Sequence, residues 1–157
     1  MIKISYLLVL MLLFSACSVK NYEQTKTKVL IIKSPKIKFA DIGYIRNSNE
    51  KIELELFIAG KCIDRISVNT LICVSDGCMS KSSFNKDYLS AFYDEDVLQN
   101  ILLGAPIFGG KNRVKTEDGF EQNISDVNME ISYKVTLHAV SFKDKKNNII
   151  FNIKDTE

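Results

Sequence analysis

Tryptophan is absent from this 157-residue chain, histidine occurs once and proline twice. A single imidazole, His138, excludes a multi-histidine metal centre and leaves little from which to build a His-dependent catalytic triad. So few prolines, beside nine Phe and six Tyr, exclude a disordered chain and imply a packed core. An excess of one charge sign is missing too: 21 Lys and Arg face 19 Asp and Glu, a formal net charge of +2. That balance gives no electrostatic footprint for nucleic acid. No apolar run reaches the roughly 20 residues that span a bilayer. The length suits one domain rather than two.

The N-terminus carries an address. Met1-Ile2-Lys3-Ile4-Ser5 has one positive charge, residues 6–14 are unbroken apolar chain, and Ser15-Ala16 supplies the small residues of a cleavage site. This three-part pattern predicts a secretory signal peptide over residues 1–16. Phe14-Ser15-Ala16-Cys17 resembles a bacterial lipobox, a signal in which the Cys becomes the first mature residue and carries acyl chains. The alternative is a plain secretory signal with a coincidental cysteine at its end. Lipidation of Cys17 would anchor the protein to membrane lipid, because acyl burial contributes about 0.8 kcal/mol per CH₂. Ser18, which is not Asp, agrees with delivery to the bacterial outer membrane. Residues 17–28 then read as the lipidated Cys and a flexible polar tether, and residues 29–157 as a single β-rich domain.

Export permits a disulfide. Cys73 and Cys78 flank Val74-Ser75-Asp76-Gly77, which would place the two thiols opposite each other across a hairpin. Asp76-Gly77 is also a strong type I′ turn signal, and a turn there would pair Cys73 with Ser80 instead. Only one register can hold, and the closeness of the thiols in sequence favours the disulfide. Cys62 reads as a small buried apolar residue. The spacing of the three thiols matches no zinc site and no Cys-x-x-Cys redox motif, so no metal and no cofactor is expected.

Strand patterns dominate the rest. Val29-Leu30-Ile31-Ile32 is a short apolar run ended by Ser34-Pro35. Ile52, Leu54 and Leu56 alternate with Glu53 and Glu55, which places the acids on a solvated outer face. The period then changes. Residues 82–89 predict a short helix capped by Ser82 or Ser83. Asp94-Glu95-Asp96 opens a second helix whose apolar face is Val97, Leu98, Ile101 and Leu102, with Gly104 at C′ and Pro106 preventing continuation. The C-terminal third returns to strands, with His138 inside the strand-like run of residues 133–140 and a solvated hairpin loop over residues 143–148. One antiparallel sheet wrapping one or two helices satisfies this order, a mainly β (α+β) fold.

Nothing in the pattern requires an enzyme, and no catalytic residue is assigned. Asp94, Glu95 and Asp96 are explained by helix capping, and Gly109-Gly110-Lys111 lacks the rest of a phosphate loop.

Asn100-Ile101-Leu102-Leu103-Gly104-Ala105-Pro106, the hairpin Leu56-Phe57-Ile58-Ala59-Gly60-Lys61 and the final hairpin of residues 143–153 together resemble the LolA/LolB lipoprotein-localisation family. The resemblance implies a sheet curved into a half-open barrel with helices packed against its concave face. It also implies a receptor or carrier that binds acyl chains or other lipoproteins from a periplasm-facing position. On that reading Ile52, Leu54 and Leu56 line the sheet, Val97, Leu98, Ile101 and Leu102 line the helical lid, and Phe57 and Ile58 touch the membrane. The alternative is a non-catalytic structural or adhesive envelope lipoprotein with a packed core.

Overall fold

Apolar alternation resolves into eleven strands in a computed structural model that describes residues 24–156. The expected signal peptide, the lipidation site Cys17 and tether residues 18–23 lie outside the described residues. The strands are β1 (Gln24–Lys33), β2 (Lys38–Asn47), β3 (Ile52–Ile58), β4 (Lys61–Val68), β5 (Leu71–Val74), β6 (Gly77–Ser80), β7 (Arg113–Lys115), β8 (Phe120–Ser125), β9 (Glu130–Val135), β10 (Ala139–Asp144) and β11 (Ile149–Asp155). Helices α1 (Lys81–Tyr88) and α2 (Val97–Leu103) lie between β6 and β7.

The strands form one sheet in the order β6-β5-β4-β3-β2-β1-β11-β10-β9-β8-β7, and every pairing is antiparallel. The first and last strands meet in the middle, Leu30 opposite Ile153. The two edges, β6 and β7, are consecutive in sequence. Their separation by an even number of antiparallel steps makes them run in the same direction, so they could join only as a parallel pair. The sheet is not closed into a barrel. Parallel neighbours need a long crossover, usually helical, and residues 81–112 are such a segment. They carry both helices across one face of the sheet.

That face must be curved. Eleven flat strands would extend about 48 Å, whereas α1 and α2 are only about 12 and 10 Å long. Yet buried side chains from β1–β5 and β8–β11 join those of the helices in one hydrophobic cluster.

Local chemistry fixes the cover. The Ser80 hydroxyl accepts from the Ser83 backbone N–H at 3.1 Å, so the cap is the last residue of β6 and not Ser82 or Ser83. The strand runs directly into α1, which moves the helix start forward. At the end of α2, Gly104 is left-handed with φ 65°, and Ala105 N–H donates to the Asn100 carbonyl at 2.8 Å. A side chain there would combine that strained φ with a Cβ 3.2 Å from Val135.

Three buried polar side chains fasten this cover to β8–β10. Gln122 accepts from Ile107 N–H at 2.9 Å and donates to the Lys111 carbonyl at 2.7 Å. The Tyr133 hydroxyl donates to the Ala105 carbonyl at 2.9 Å. The Tyr93 hydroxyl donates to Asp144 Oδ2 at 2.7 Å, and Asp144 also accepts from Glu130 N–H, Lys146 N–H and Asn147 Nδ2. Asp144 thus departs from the expected solvated loop: it is fully buried because its oxygens organise the β10–β11 turn.

Several boundaries move for the same reason, that partners distant in sequence decide them. The tether was expected to run through Lys28, but β1 begins at Gln24, since β2 extends to Asn47 and offers it a ladder. The run over residues 133–140 is two strands and a turn, with Thr136 N–H bonded to the Ala139 carbonyl. His138 is consequently in the turn and exposed.

Burial would raise the Asp144 carboxyl, but the hydrogen bonds from Tyr93, Asn147 and Glu130 hold it below its ordinary value. A depressed folded pKa gives stability that is present above the unfolded value and lost as pH falls through the folded one. Urea midpoints should therefore drop below about pH 4, and Asp144→Asn should flatten that part of the profile. Tyr93→Phe should cost about 1–3 kcal/mol by urea unfolding at pH 7.

Candidate functional site

The seven candidate lining residues come from two elements that face one interior. Ile52, Leu54 and Leu56 share the inner parity of β3, opposite Val68, Ile66 and Asp64 of β4. Val97, Leu98, Ile101 and Leu102 form the inner face of α2. All seven are buried, and all belong to the same hydrophobic cluster. In this state their interior is filled by the protein's own side chains.

Openings occur where that interior reaches the end of the sheet at which β1 begins. Leu103, the last residue of α2, is exposed between two clefts. One, of about 190 Å³, has Ile45, Leu102, Val135, Val140 and Ile153 among its walls and Lys26 and Lys28 at its rim. The other, of about 250 Å³, lies between α2 and the loops of the β2–β5 wing and is lined by Ile52, Val68, Gln99 and Leu103. Leu137, 77% exposed, projects from the β9–β10 turn beside the first cleft.

The rim carries a small charge relay of fixed geometry. Lys28 Nζ bonds Asp155 Oδ1, and His138 Nδ1 lies 3.1 Å from Asp155 Oδ2. The Lys28 hydrogen bond, then that of His138, hold the Asp155 carboxyl below its usual range. A cationic rim over aliphatic walls suits an amphiphile with an apolar tail.

The fastening of the cover is asymmetric. Its buried hydrogen bonds go to β8–β10, as described above. Toward β5 and β6 it packs through α1, with Phe84 stacked on Tyr88 at 4.5 Å and Lys36 over the Tyr88 ring. An apolar contact can be exchanged for another apolar contact at small cost, whereas a buried hydrogen bond cannot.

The acids expected on the outer face of β3 are buried instead. Glu53 and Glu55 are 3% and 4% exposed. Glu55 meets Arg46 at 3.0 Å and Arg65 at 2.6 Å, and Glu53 meets Lys51. Neighbouring strands supply Arg46 and Arg65, Glu55 standing opposite Tyr44 and Arg65, the turn before β3 supplies Lys51, and these long side chains cover the carboxylates. Register across strands, invisible within β3 alone, produces this.

Cys73 and Cys78 form a disulfide. They stand in direct register with Val74 opposite Gly77, so the turn is Ser75-Asp76 and the Asp76-Gly77 alternative does not form. Cys62 is exposed rather than buried; a register shift between Leu56 and Phe57 puts it near the hairpin tip. Phe57 packs edge-on against Tyr44 at 5.2 Å, and Ile58 is exposed.

Among the described residues, no cluster of His, Cys, Asp and Glu could hold a metal ion, and no helix is long and apolar enough to cross a membrane. Neither a scan against protein-family models nor searches of curated proteins and of solved structures find a match for this chain.

Replacing Cys73 and Cys78 with Ser should lower stability by about 2 kcal/mol in urea, the loop-closure value for so short a ring. Without reductant, peptide mass mapping should find Cys73 joined to Cys78 and Cys62 free to alkylate.

Proposed function

We propose that the protein is a membrane-anchored envelope lipoprotein that receives an acyl chain, free or borne by another lipoprotein, into its half-barrel. One observation carries this reading: the buried hydrogen bonds of the cover go to β8–β10 through Gln122, Tyr133 and Asp144, whereas its polar contacts toward the opposite wing, the Ser80–Ser83 cap at the strand–helix joint and the Lys36–Asp87 pair, are exposed. An acyl chain entering beside Leu103 replaces side-chain contacts along Ile52, Leu54 and Leu56 without breaking those bonds. The cationic rim at Lys26 and Lys28 receives the polar head. The sequence supports the anchor through the lipobox-like Phe14-Ser15-Ala16-Cys17, and Ser18 agrees with the outer membrane and a periplasm-facing domain.

A second reading has its own support. Complete burial of the seven candidate side chains fits a non-catalytic structural module whose interior stays packed.

Binding of a fluorescent fatty acid to the mature chain with Cys17→Ala separates the two. The acyl receptor should bind it, and Leu103→Glu, a change at an exposed position, should weaken binding at least about tenfold, as expected from a charge placed against an apolar tail. A chain that stays folded and takes up no fatty acid is the packed module. In cells, Cys17→Ala should move the protein from the membrane to the soluble envelope fraction; continued membrane retention would defeat the anchor.

A further inference from the structure

The convex face of the sheet is as unusual as the concave one. Val29 and Ile31 alternate with the buried Leu30 and Ile32 of β1, and Ile42 stands directly opposite Val29 on β2. These three side chains are 40%, 45% and 44% exposed in the middle of the sheet. The solvated face of an antiparallel sheet is ordinarily polar, and contiguous exposed aliphatic groups mark a contact surface. The band continues toward β3: Tyr44, two residues beyond Ile42, meets Phe57 edge-on.

The charge around this band has one sign. Outward positions of β10, β11, β1 and β2 hold Lys143, Lys154, Lys33, Lys38 and Arg46, and no acid, as their register shows. The acids on the flanking strands are paired: Glu53 and Glu55 on β3 are buried beneath their own cations, and the exposed Glu130 and Glu121 of β9 and β8 meet Lys145 and Lys134. The whole chain is nearly neutral, so this face is a segregated basic surface. A second copy seated on it would set basic against basic. An anionic lipid surface satisfies both halves of the pattern, aliphatic groups at the acyl boundary and lysines among the headgroups.

We infer that the convex face of β10-β11-β1-β2 docks on an anionic bilayer, holding the half-barrel on its side. The inference rests on the proposed anchor only for proximity: the seven residues from Cys17 to Gln24 reach about 25 Å at most, which allows the sheet to lie flat against the membrane. Phe57 then touches lipid at one end of a broad band, with the exposed Ile58 beside it at the hairpin end.

The mature chain with Cys17→Ala tests this without its lipid. It should co-sediment with vesicles containing phosphatidylglycerol and weaken as salt is raised, with little binding to phosphatidylcholine alone. Lys143→Gln and Lys154→Gln should each weaken binding about fivefold. Ile31→Glu with Ile42→Glu should abolish it while far-ultraviolet dichroism and melting stay those of the parent, because both sites are exposed. Retained vesicle binding by that double variant, or no binding by the parent, overturns the inference. A parent dimer that the same variant dissolves also overturns it and gives the face to a second copy. Fatty-acid uptake should survive in the double variant, so its loss alone counts against the acyl receptor and not against docking.

Discussion

Ten consecutive antiparallel pairings separate the two edges of this sheet, and that even count governs everything built on it. Because β6 and β7 run the same way, they cannot be joined by a tight hairpin, and simple closure of the meander is impossible. The chain must cross from one edge to the other through a long segment. The segment needs helices to satisfy its own backbone, and the helices need apolar faces to sit on the sheet. The concave core, the cover and the gap between the edges are therefore one consequence of a strand-direction constraint.

Within that frame, polar groups bind the cover to one wing of the sheet and apolar groups pack it against the other. Gln122, Tyr133 and Asp144 point inward from β8, β9 and β10, whereas the buried inward side chains of β3, β4 and β5 are aliphatic. Burying them is tolerable because each is saturated by backbone or side-chain partners. Ile52, Leu54 and Leu56 make no such directional demands, and their half is the one that can exchange partners.

Elements with local causes were legible in the sequence. The apolar face of α2 and its Gly104 stop are written in eight consecutive residues. The disulfide register follows from the five-residue separation of Cys73 and Cys78, although it competed with a good turn signal one residue on. What escaped detection depended on partners far away in sequence. Glu53 and Glu55 look solvated until β2 and β4 bring Arg46 and Arg65 over Glu55 and Lys51 folds back from the turn before β3 onto Glu53. Asp144 looks like loop charge until Tyr93 arrives from the cover. Thr25 to Lys28 look like tether until β2 is seen to continue alongside. Similarly, Leu137 and His138 fit a strand period, and only the pairing of Val135 with Val140 shows a turn between them.

The shortness of the outermost strands has a further effect. β7 is three residues, Arg113-Val114-Lys115, and β6 is four, closed by the disulfide on one side and passing into α1 on the other. An open sheet of this width would ordinarily present two templates for edge-to-edge polymerisation. Here each template is a few residues long, one charged at both ends and the other stapled to its neighbour. The molecule can keep its sheet unsealed, with both edges free, without recruiting copies of itself into fibrils.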